Sequence, residues 1–145
     1  MNVKIAVLAA AAALLASTGA SAQEVDLAAL LGAGGRISGE ALEARIARAA
    51  EHPLGSRENP VRVNMPDGQR SYLRRLRCAN GASPDFSRSG SVGPGPFGSI
   101  IDAYTVTCRG SEPAQSVIFM DMYHPTHDET RAPPGFTMSV RPRQP

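Results

Sequence analysis

The chain has no tryptophan, and phenylalanine with tyrosine brings the aromatics to only 5% of its residues. A small domain with so few large rings to bury gains less from its core and leans more on cross-links. Lysine is nearly missing as well. Of 15 basic residues only Lys4 is a lysine, and all the others are arginine. Alongside abundant Ala, Gly and Pro, that bias reads as a GC-rich coding preference rather than a demand for guanidinium chemistry. Cysteine is confined to Cys78 and Cys108, and without a Cys-x-x-Cys pair nothing lowers a thiol pKa for redox work. The sequence also lacks His-Glu-x-x-His, a Gly-x-Ser-x-Gly elbow and a Gly-Lys-Ser/Thr phosphate loop.

Long hydrophobic runs are scarce too. Residues 5–16 form one run of 12 apolar residues, short of the roughly 20 needed to cross a bilayer. Lys4 precedes the run and Ala20-Ser21-Ala22 follows it, which is the pattern of a secretory signal peptide cut after Ala22. The expected organisation is a signal peptide over 1–22, a linker and surface helix over 23–57, and a disulfide-linked β-rich domain over 58–145. All 13 acidic residues lie beyond the cut, against the arginines alone, so the remaining piece is close to neutral. Such a balance gives no pull toward nucleic acid or an anionic membrane, and no later run is long enough for stable membrane insertion after cleavage. The expected destination is the periplasm or the outside of the cell, where two cysteines favour a disulfide.

What is present is organised around residues 99–127. Two β-branched and aromatic runs, 99–108 and 115–124, flank a polar break and predict a hairpin. Upstream, Leu42, Ile46 and Ala49 form a narrow apolar stripe on a helix with Ser38 as its N-cap, stopped by Pro53 and Gly55. Between alternating runs at 61–65 and 69–78, Pro66-Asp67-Gly68 predicts a second hairpin. Gly90, Gly93, Gly95 and Gly98, interleaved with Pro94 and Pro96, predict a long loop rather than a strand. Since Cys78 and Cys108 both end strands, a bridge between them asks those strands to run in the same sense. A short strand is expected over 136–140. The fold class is therefore α+β: one surface helix, then a mixed or mostly antiparallel sheet of four to five strands with one disulfide.

Candidate chemistry gathers in one stretch. Asp121, His124, His127, Asp128 and Glu129 fall within nine positions. Imidazole and carboxylate donors at this spacing suit zinc, with Asp121, His124, His127 and Glu129 as the ligand set. Met120, Met122 and His124 on one strand face offer a softer set suited to copper, although methionines on a strand usually fill a core. An enzyme would use His124 or His127 as base beside Asp121 or Asp128. Arg70, Arg74, Arg75 and Arg77 form the main basic cluster, with Arg75 and Arg77 on one strand face as an anion grip and Arg74 opposite Asp102. Weighed together, these features favour a small exported protein without a cofactor. It binds a small ligand or another exported protein and does no chemistry. A metal-binding or hydrolytic domain is the alternative.

Overall fold

The computed structural model describes residue 37 and residues 39–139, and these belong to one compact unit. The expected signal peptide and the Ser38 cap lie outside the described residues. The elements are α1 (Gly39–Ala49), β1 (Val61–Arg62), α2 (Met65–Arg75), β2 (Leu76–Cys78), β3 (Asp85–Pro94), β4 (Ile100–Thr107), β5 (Gln115–Asp121) and β6 (Phe136–Met138). One mixed sheet of four strands runs in the order β1-β5-β4-β3, with β1 parallel to β5 and the other pairs antiparallel. A separate two-stranded sheet pairs β2 with β6.

The hairpin expected over 99–124 is β4–β5, in register from Asp102 opposite Met120 to Thr107 opposite Gln115. Its Ile118, Met120, Tyr104 and Val106 are buried, and Val61, Val63, Tyr72, Leu73 and Leu76 pack against them.

The second expected hairpin is replaced by a helix. Residues 65–75 form α2, with Pro66 in its first turn, Asp67 at its acidic start and Arg74 and Arg75 at its basic end. Proline fits the first helical turn as well as it fits a β-turn, because its missing N–H is unpaired there anyway. Gln69, Tyr72, Leu73 and Leu76 fall at i, i+3, i+4 and i+7, and all four are buried. That burial outweighs the competing alternation. Gly68 sits inside the helix because a Cβ there would come within 3.3 Å of the Val63 Cβ. The shortened β2 then begins at Leu76.

The segment rich in glycine and proline is a strand. β3 covers Asp85–Pro94 as an edge of the main sheet, and its register on β4 slips between Arg88 and Gly90 and again between Ser91 and Pro94. Gly90 and Gly93 lie at the two slips with φ of 143° and 88°, where only glycine is unstrained. The expected loop shrinks to the turn before Ile100.

Cys78 and Cys108 are bridged, with Cα atoms 5.7 Å apart. The bridge does not join same-sense strands of one sheet. Cys78 ends β2 and Cys108 follows β4, so it fastens the small sheet to the large one. Same-sense strands are required only where one sheet holds both cysteines, and here β2 pairs with β6 outside the main sheet.

Candidate functional site

A cleft of about 360 Å³ opens between α1 and the turn that follows β5. Leu42 and Ile46 of α1 line one side, and Arg62, Phe97, His124 and His127 contribute to the others. The apolar stripe of α1 is used here, half-buried over the cleft instead of sealed in the core.

The polar wall is built by the end of β5. Val63 N–H donates to the Asp121 carbonyl and His124 N–H donates to the Val63 carbonyl, at 2.9 and 3.1 Å. These bonds stitch the chain after β1 to the chain after β5 and bring His124 back under Asp121. Asp121 Oδ1 accepts the Tyr123 N–H at 3.0 Å. Asp121 Oδ2 and His124 Nε2 are 3.4 Å apart, within ion-pair range. Neither atom makes an aligned hydrogen bond among the described residues, although Asp121 is fully buried and His124 is only 8% exposed. Phe97 meets the His124 ring edge-on, with centroids 5.3 Å apart, and Arg62 lies 5.9 Å from the Phe97 centroid.

His127 belongs to a second pair. Its Nε2 is 3.5 Å from Glu129 Oε2. Burial and the nearby Arg62 charge pull its pKa down, against an opposing pull from Glu129. Glu129 is itself buried and accepts a two-pronged grip from Arg131, whose Nε and Nη2 both donate at 3.0 Å. Burial works against its ionisation, but the bonds from Arg131 outweigh that cost and hold its carboxyl at about 2. The carboxylate is therefore already satisfied from within the chain.

The four residues expected as metal ligands thus form two pairs, Asp121 with His124 and His127 with Glu129. Among the described residues no three His, Cys, Asp or Glu side chains are placed to share an ion. Met120 lies fully buried in the core and Met122 packs against it, so the thioethers proposed for copper serve packing. Asp128 pairs with Arg75 at 3.0 Å. That same guanidinium also donates to the Glu129 carbonyl at 2.8 Å. Arg75 ends α2 while Arg77 sits in β2 and donates to the Arg74 and Leu76 carbonyls. The two arginines therefore do not share a strand face as expected. Arg74 does not meet Asp102, because residue 74 lies on the helix. Arg88 takes that role at 2.7 Å across the β3–β4 pair. Asp102 also accepts bonds from Gln69 and Ser91 at 3.0 and 2.9 Å, and Tyr104 donates to Gln69 at 3.0 Å. Burial opposes ionisation of Asp102, yet these donors, Arg88 foremost, hold its carboxyl below the usual range.

Sequence reasoning found the His–Asp pair but missed Phe97 and Arg62. Phe97 carried one signal, being a large ring amid small and turn-forming residues. Arg62 carried another, since its parity opposes that of Val61 and Val63. Comparison with family models, with curated proteins and with solved structures finds no match to this chain.

Proposed function

We propose that this protein is an exported, non-catalytic binding domain whose ligand seat is the cleft between α1 and the turn after β5. The observation that carries the proposal is the make-up of the wall: aliphatic Leu42 and Ile46 beside the buried Phe97 ring, with Arg62, His124 and His127 alongside and Glu43 as its one acidic residue. A concave, largely apolar surface with a few polar groups is the usual form of a small-ligand site. It suits a small molecule or short peptide with an apolar body and one hydrogen-bond acceptor or carboxylate. The Cys78–Cys108 bridge supports action in an oxidising setting, the periplasm or the outside of the cell. No helix among the described residues is long and apolar enough to cross a membrane.

The test is an NMR titration against short peptides and small aromatic or aliphatic carboxylates. Saturable shifts at Leu42, Ile46, Phe97 and His127, lost in Phe97→Ala, are the expected result. Binding that maps elsewhere, or that survives Phe97→Ala unchanged, refutes it.

A metal-dependent or hydrolytic role is the second reading. The observation in its favour is the buried Asp121–His124 pair, whose facing atoms lack an aligned bond. Stoichiometric zinc or copper in the purified protein, lost in His124→Ala and His127→Ala, would favour it over simple binding.

A further inference from the structure

We propose that a second cleft, on the other side of α1, binds a compact polyanion carrying two or more phosphate groups. Arg45 and Arg48 of α1, His52 beyond its end and Arg57 from the following loop line a space of about 450 Å³ against Pro94 to Pro96. Glu58 is the one acidic side chain on this lining. A single negative charge would leave this wall with positive charge to spare, which is the reason for a multiply charged ligand.

The described arginines divide into those paired with a carboxylate and those without one, and this cleft gathers three of the second kind. Arg70, Arg75, Arg88, Arg109 and Arg131 each pair with a carboxylate. Among the described residues Arg45, Arg48 and Arg57 have no such partner, a status shared with Arg62, Arg74 and Arg77. Three such side chains stand around one cleft here, and two of them are held in place by main chain alone. Arg45 Nη1 donates to the Pro96 carbonyl at 3.0 Å and Arg57 Nη2 donates to the Val92 carbonyl at 2.8 Å. Each guanidinium keeps further N–H groups for a ligand.

Pro94 and Pro96 have no N–H, and the N–H of Gly95 is spent on the Ser99 carbonyl at 2.7 Å. Residues 94–96 therefore add no backbone donor, and the guanidinium forks must supply the recognition. Their planar, paired N–H groups match phosphate oxygens better than ammonium groups do.

Calorimetric titration of the whole protein with inorganic tripolyphosphate tests the assignment. The expected result is saturable one-to-one binding that weakens as salt rises. Arg48→Glu should weaken it about tenfold or more, and Arg57→Ala by a smaller factor. Arg48 makes no side-chain hydrogen bond or ion pair among the described residues, but an acid in the last turn of α1 opposes the helix dipole, so Arg48→Gln, which should also weaken binding, serves as the variant that keeps the parent melting temperature. Arg109→Ala removes one positive charge from the Asp85 pair and should leave the affinity unchanged. Absence of saturable binding overturns the proposal, as does equal weakening by Arg109→Ala and Arg48→Glu. Tighter binding of citrate than of tripolyphosphate would overturn the assignment to phosphate.

Discussion

α1 and α2 are both 11 residues long, yet the fold treats them in opposite ways. α2 drives Gln69, Tyr72 and Leu73 fully into the core, and the polar groups of Gln69 and Tyr72 are bonded there. Gln69 bridges Asp102 and Tyr104, and the Tyr72 hydroxyl donates to the Arg131 carbonyl at 2.8 Å. α1 buries Ala49 alone and borders a cleft on each side. Core and polar network are thus concentrated under α2, which borders a recess of about 280 Å³, while recesses of about 450 and 360 Å³ border α1. Segments with few buried apolar contacts open most readily, and binding surfaces tend to be drawn from them. In this chain α2 is the better-buried helix, and the proposed ligand seats border α1.

The largest effect should come from the cross-link on the α2 side. Cys78 and Cys108 are 30 residues apart in sequence, and closing such a loop contributes about 3–4 kcal/mol in the chain-entropy view. Full reduction should lower the melting temperature by on the order of 10 °C. Hydrogen exchange should quicken in α2, β2 and β4, while α1, already weakly held, should change little. A melting temperature that ignores reduction would break the contrast between the two helices.

A matched pair of truncations sharpens the same contrast. Leu73→Ala leaves a hole in the sealed core and should cost about 3 kcal/mol. Ile46→Ala removes a half-buried side chain at a cleft and should cost less than about 1 kcal/mol. Chemical denaturation measures both. Equal costs would mean that α1 is part of the core after all.

The same contrast explains what was legible in the sequence. The β4–β5 hairpin stood out because Thr105, Val106, Val117 and Ile118 are β-branched and the pairing is local. The disulfide followed from cysteine count and compartment. α2 was hidden because Pro66-Asp67-Gly68 is good turn chemistry and residues 69–78 also alternate. Only the buried set Gln69, Tyr72, Leu73 and Leu76 breaks the tie, and Gln69 enters it through a bond to Asp102, 33 positions away. β3 was hidden because its glycines read as a loop, whereas they serve two register slips against β4. The Asp121–His124 pair was visible at i, i+3. The clefts beside α1 were not, since Arg62, Phe97 and Arg57 reach them through long-range packing that no local pattern records.

A smaller effect is expected from acid. Burial opposes ionisation of Glu129, but the bonds from Arg131 hold its carboxyl down to about 2, below the ordinary 4.5. A depressed carboxylate adds stability that is present above pH 4.5 and is lost as pH falls toward 2. Arg131 is largely exposed, and allowing for the solvent around it leaves a contribution on the order of 2 kcal/mol. The stability difference between the parent and Glu129→Gln should therefore be largest near neutral pH and shrink toward pH 2. A difference that stays constant over that range would mean that the Arg131 grip contributes nothing through charge.

The smallest expected effect lies at the start of α2, in the better-packed region. Met65 is the one non-glycine described residue with positive φ, at 59°. Its side chain is 55% exposed, so packing does little to compensate. Its backbone is committed by another contact: Met65 N–H donates to the Met122 carbonyl at 2.8 Å, where the chain turns from β1 into the helix. Holding an ordinary residue in the left-handed region costs roughly 1 kcal/mol, and asparagine tolerates it better than methionine does. Met65→Asn keeps the N–H and loses little buried area, so it should raise stability by about 0.5 kcal/mol. The urea midpoint should rise while the slope stays fixed. Loss of stability instead would show that the exposed methionine holds the helix start by contacts that outweigh its backbone strain. The start of α2 would then owe its geometry to a side chain and not to the Met122 bond.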